Sequence, residues 1–117
     1  MMYTEITIGN NTYKLRLNTR TSIDLEKKLG YNPLNLIMEM ADNKMPKKMD
    51  VIIFLQSMLQ VYHHGMNMDK VMDLFDVYIE EGHNMFDLVQ PFVEVLTEAG
   101  YIPKDNGESE GDADTKN

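Results

Sequence analysis

The 117-residue chain has no cysteine and no tryptophan, four prolines, and no apolar run near the roughly 18 residues that a membrane span needs. The missing cysteine excludes disulfides, thiolate nucleophiles and zinc-thiolate sites, and it is compatible with a reducing cytoplasm. The opening Met-Met-Tyr-Thr-Glu-Ile has neither the basic nor the apolar region of a signal peptide. The chain therefore reads as a soluble intracellular protein with no membrane segment. Positive charge is also scarce, with 11 Lys and Arg against 19 Asp and Glu and a net charge of -8. Neutralisation of phosphates supplies most non-specific nucleic-acid affinity, so nucleic acid is not an expected partner. Glycine-rich phosphate loops, a Ser nucleophile beside a base and nucleotide fingerprints are missing too. No catalytic, cofactor-binding or metal residue is assigned, and the expectation is a non-enzyme.

What the chain does have is a long apolar segment from Met49 to Gly65. Val51, Leu55, Met58 and Tyr62 recur at three-and-four spacing, with Ile52, Phe54 and Leu59 between them. That is the period of a helix whose wide apolar sector must be covered from several sides. Upstream, Thr4 to Ile8 and Thr12 to Leu17 alternate around Gly9-Asn10-Asn11, which predicts a hairpin over residues 3–18 turning at Asn-Asn. Its apolar face, Ile6, Ile8, Tyr13, Leu15 and Leu17, has to lie on helices, because a lone hairpin is unstable in water.

The remaining punctuation predicts helices over about 21–29, 33–42, 47–64, 68–81 and 85–99. Thr21 is the expected cap of the first, with Asp24 in its first turn and Gly30 after its end. Asn32-Pro33 starts the second, which carries Leu34, Ile37 and Met38 inward. Asn67 or Asp69 caps the fourth, which finishes on Glu80-Glu81, against its own dipole. Asn84 caps the fifth, where an interior Pro91 predicts a bend at Gln90 or Pro91. The fold class is thus mostly α, an α+β arrangement of a hairpin on about five helices in one domain, residues 1–103. Residues 104–117 hold nothing apolar larger than Ala113 and read as a disordered acidic tail.

Three groups could carry chemistry or binding. His63-His64 are adjacent, so on a helix they diverge by about 100° and do not match metal-ligand spacing; they read as a cationic pair favoured by a helix C-terminus. Asp69, Asp73, Asp76 and Glu80 form a carboxylate row that reads as a solvated face or a charged docking face. Eleven methionines are many for this length, and Met40, Met45, Met49, Met66, Met68 and Met85 lie off the clean apolar stripes or in connections. Methionine either fills core gaps or builds surfaces that adapt to varied apolar helices. A candidate partner groove comprises Met66, Met68, Met72 and Met85, with Asp69, Asp73 and Asp76 as its rim. Charge is also segregated: eight basic residues against four acidic between Lys14 and Lys48, then Lys70 alone against eight acidic between Asp69 and Glu98. Such opposed fields either steer a partner or a second copy, giving a homo-oligomer, or are two solvated faces.

Several strings resemble one known family. They are Thr7 to Arg20, Asp24 to Leu34, Met45-Pro46, Leu59 to Gly65, Asp69 to Gly82 and Leu88 to Gly100. With their order, they are similar to the small tail assembly chaperones of long-tailed bacteriophages and prophages of Gram-positive hosts. The resemblance implies a protein without catalysis that binds the tape measure protein in the host cytoplasm, keeps it soluble and leaves before the virion is finished. It further implies that tail tube protein is a second partner, gathered in many relatives by a frameshifted extension. Thr115-Lys116-Asn117 are codable by a slippery A-AAA-AAC run that would produce one. The alternatives are a head-tail connector or tail completion protein of the particle, and an early host-takeover protein.

Overall fold

Asparagine starts most of the helices. In the computed structural model, which describes residues 2–104, the side-chain oxygens of Asn18, Asn32, Asn67 and Asn84 accept backbone N–H groups of Thr21, Leu34, Lys70 and Phe86, each at 2.9 Å. Each satisfies a donor that the first helical turn would otherwise leave free. The elements so opened are α1 (Thr19–Leu29), α2 (Pro33–Ala41), α4 (Met68–Glu80) and a 3₁₀ turn (Met85–Leu88) that leads into α5 (Val89–Glu98). The exceptions are α3 (Lys48–Leu59), whose preceding Lys47 makes no side-chain cap bond, and α5, which follows directly on the 3₁₀ turn with Leu88 ahead of it. Ahead of them all, β1 (Thr4–Ile8) and β2 (Asn11–Leu15) form the antiparallel hairpin. The expected acidic tail lies outside the described residues except for Lys104, which sits 3.4 Å from Glu98.

The hairpin pairs Thr4 with Leu15, Ile6 with Tyr13 and Ile8 with Asn11. Its two turn residues are Gly9 and Asn10, not the expected Asn-Asn pair, and Gly9 has φ 65°. Glycine at the first central position is the signature of the II′ turn, whose twist suits the strands. Ile8, Leu15 and Leu17 are buried and Ile6 and Tyr13 half-buried, as alternation requires. β1 lies on α5 and on the end of α4, and β2 on α3. The Glu81 carboxylate at the end of α4 accepts the Gly9 N–H at 2.9 Å, so a charge that opposes its helix dipole is given a partner.

Everything else is arranged around α3, which packs on α1, α4 and β2. Val51, Ile52, Phe54, Leu55, Met58 and Leu59 are all buried, as the wide apolar sector predicts. Phe54 meets Phe92 of α5 with ring centroids 5.0 Å apart. The buried apolar residues of the hairpin and all five helices form one cluster. No described helix is long and apolar enough to cross a membrane.

Four local expectations are corrected. α1 begins at Thr19 and is capped by Asn18; Thr21 sits three positions in and its hydroxyl accepts the Asn18 N–H, completing a capping box. Asp24 is consequently beyond the first turn. α2 turns a different face inward: Leu36, Ile37 and Met40 are buried, whereas Met38 is 61% exposed. α3 ends at Leu59, not near His64, because the Gln60 side-chain amide takes the Gln56 and Met66 carbonyls at 3.0 and 2.7 Å. The chain turns back there. Finally, the interruption expected at Pro91 occurs two residues earlier, where the 3₁₀ turn gives way to α5 at Val89. Pro91 then lies in the first turn of a new helix, where a missing N–H costs no bond.

Candidate docking groove

Two turns of apolar spacing on different helices meet at the start of α3. Met49 and Ile52 project from α3, and Met72 and Phe75 from α4, three residues apart in each case, so each pair shares a helix face. Together with Lys48 and Asp76 they line an open groove of about 380 Å³. Ile52 and Phe75 form its floor and are 4% and 2% exposed, while Met49 and Met72 form its lips at 50% and 37%. One rim is cationic at Lys48 and the other anionic at Asp76. A helix laid here would find apolar contact below, adaptable thioethers on both sides and opposite charges along its flanks.

The loop before α3 extends this surface. Met45 is 67% exposed and borders a second hollow of about 380 Å³ with Tyr31, Leu36, Glu39, Lys47 and Asp50. There the Tyr31 hydroxyl donates to Asp50 at 2.8 Å. Burial first, and then the Asp50 carboxylate, hold that phenol above its ordinary pKa, so it stays a donor and fixes the carboxylate.

The expected groove residues divide. Met72 and Asp76 line the groove, and Asp69 and Asp73 lie exposed on the same helix. Met66 and Met68 are half-buried against the core ahead of α4 and at its first position, and Met85 is half-buried beyond its far end. A 13-residue helix is about 20 Å long. The four methionines therefore do not share one groove. Lys48, Met49, Ile52 and Phe75 were the missed members, although Met49 was marked by lying off the apolar stripe. Met40, also so marked, is a core residue at 1% exposure.

A family model described as a family of unknown function (DUF6096) matches residues 3–114. The chain belongs to that family. Neither curated proteins nor solved structures gave a match.

The histidines of this DUF6096 chain have separate surroundings. His63 lies past the end of α3, and its Nε2 accepts the Lys14 N–H at 3.0 Å, so it serves as a neutral acceptor and not as the expected cation at a helix terminus. Desolvation first, then the charges of Lys14 and His64, lower its pKa, which keeps that acceptor free of a proton. His83 instead stacks on Tyr78 with centroids 4.3 Å apart and places Nδ1 3.4 Å from Asp87. Among the described residues, no three His, Asp or Glu side chains gather in a way that could hold a metal ion.

Proposed function

We propose that this protein is a phage tail assembly chaperone that holds an apolar helical segment of the tape measure protein, with the groove between α3 and α4 as the holding site. The observation that carries the reading is that groove, open, floored by Ile52 and Phe75 and lipped by the exposed Met49 and Met72. An amphipathic helix docks in such a groove through residues at i, i+3, i+4 and i+7. Methionine lips repack around different side chains, which suits a client that repeats the helical pattern with varied residues. The resemblance of the strings from Thr7 to Gly100 to tail assembly chaperones supports the client class, and the hairpin and five helices are compatible with it. On this reading the protein works in the host cytoplasm, is absent from the finished virion and helps tail tube subunits gather on the tape measure.

Two measurements test the proposal. Co-expression with a phage tape measure protein should move that protein from the pellet to the soluble fraction. Mass spectrometry of purified particles should then find this chain missing. Persistence in the particle would assign it to the rival class of connector or tail completion proteins.

A further inference from the structure

The hairpin has two outer edges; that of β2 is closed from Lys14 onward, and that of β1 is open along Glu5 and Thr7. With Ile8 and Asn11 flanking a two-residue turn, the residues paired by backbone hydrogen bonds are Thr4, Ile6 and Ile8 with Leu15, Tyr13 and Asn11. The intervening residues then aim their N–H and C=O groups away from the ladder. On β2, Lys14 donates to His63 Nε2 at 3.0 Å and, just past the strand, Arg16 donates to the Met58 carbonyl at 2.9 Å, which leaves the Thr12 N–H beside the turn as that strand's outward donor without a partner among the described residues. The 3.1 Å approach of the Thr7 and Thr12 hydroxyls agrees with this phase, because side chains stand closer at non-hydrogen-bonded pairs. On β1 the Gly9 N–H, beyond the strand, is taken by Glu81. Among the described residues, the outward N–H groups of Glu5 and Thr7 have no partner.

Beside that edge lies a hollow of about 280 Å³ between the start of β1 and α5, lined by Tyr3, Thr4, Val93, Glu94, Thr97 and Glu98. The geometry points to β1 as a docking edge for an extended, basic segment of another protein, added antiparallel or parallel as a third strand. Backbone pairing to Glu5 and Thr7 supplies the bonds, and the hollow over Val93 and Thr97 receives alternate side chains of the guest. Charge selects the guest. Glu5 on the strand, Glu94 and Glu98 on α5 and Glu81 at the turn surround the edge, four carboxylates against two cations, Lys104 beside Glu98 and Lys14, which pairs with Glu5 across the ladder and lies over the Tyr3 ring. Two copies of this chain meeting at β1 would bring these like charges together, which disfavours self-pairing. A lysine-bearing strand meets the opposite condition. This edge is separate from the α3–α4 groove, and the inference stands without it.

The test uses the full chain and two synthetic peptides, acetyl-Lys-Val-Lys-Val-Lys-Val-amide and the same sequence N-methylated at all six residue nitrogens, so that neither of its edges can donate. Charge and side chains are alike in both, and only backbone pairing differs. Amide hydrogen exchange at Glu5 and Thr7 should slow at least tenfold at saturation with the first peptide, and the methylated peptide should bind at least tenfold more weakly. Thr7→Pro, which removes an outward N–H but no ladder donor, should weaken the first peptide similarly while the circular dichroism spectrum is retained. Equal binding of both peptides, or a footprint on Asp69, Asp73 and Asp76 in place of β1, would overturn the proposal. So would slowed exchange at Glu5 and Thr7 that rises with protein concentration in the absence of peptide, since a second copy would then close the edge.

Discussion

The two ends of α3 are built on opposite plans. Its C-terminal end is tied from every side: Gln60 holds the Gln56 and Met66 carbonyls, Lys28 reaches the Gln56 side-chain oxygen at 3.0 Å, Arg16 bonds the Met58 carbonyl, and His63 takes the Lys14 N–H. Around it, Lys14 Nζ lies 4.8 Å from the Tyr3 ring and 5.3 Å from the Tyr62 ring. Its N-terminal end has no side-chain cap, three lysines in sequence at Lys44, Lys47 and Lys48, and the exposed Met45 and Met49. One helix thus anchors the fold at one end and leaves an apolar surface open at the other. Stability and binding are separable along it.

That separation can be broken by mutation. The largest effect belongs to the shared middle, where Phe54→Ala should cost about 3–5 kcal/mol, because it removes a fully buried ring and its Phe92 contact; urea unfolding measures it. At the closed end, Gln60→Ala should cost about 1 kcal/mol by removing its bonds to the Gln56 and Met66 carbonyls, Met66 keeping only the longer 3.3 Å bond from Gln56 Nε2, and should speed amide exchange from Met58 to Met66. The open end should respond in the other direction. Lys47→Ser supplies the missing cap oxygen at an extended residue and should stabilise by about 0.5–1 kcal/mol.

Acid should act on the closed end through His63. The pKa of His63 is lowered on folding, so its contribution is intact above the unfolded value near 6.5 and is lost as pH falls from there towards the lowered folded value. Unfolding midpoints should therefore drop between pH 7.5 and 5.5, and His63→Gln should flatten that slope. An unchanged slope would mean that the His63 acceptor does not matter to the hairpin. At the phenol of Tyr101 the sense is alkaline: burial, then its 2.6 Å bond to Glu26, raises the pKa to about 12, so that tie between α1 and the segment after α5 should hold at any ordinary pH.

The sequence was legible where local chemistry decides the outcome. Asn32, Asn67 and Asn84 act as caps as predicted because an asparagine oxygen at a helix start needs no tertiary help. Alternation placed Ile8, Leu15 and Leu17 inside. Legibility ended where a distant partner decides. Met38 and Met40 are equally apolar, and which is buried depends on where α5 packs on α2. The end of α3 is set by the Gln60 side chain reaching Met66, a contact across a turn that helical periodicity does not encode. The groove was half legible for the same reason: Met72 and Asp76 share a helix with the marked acidic row, but their partners Met49 and Ile52 come from α3, and only the packing of α3 on α4 joins them.

The most direct test of the open-end account is capture of purified tape measure fragments by the full chain and by two variants. Met49→Asp with Met72→Asp should shift the unfolding midpoint by less than the equivalent of about 0.5 kcal/mol, as exposed substitutions do, yet reduce capture at least tenfold. Met38→Asp, more exposed than either and on α2 outside the groove lining, should leave capture intact. Undiminished capture by the Met49 and Met72 variant would place the client elsewhere on the molecule and contradict the account.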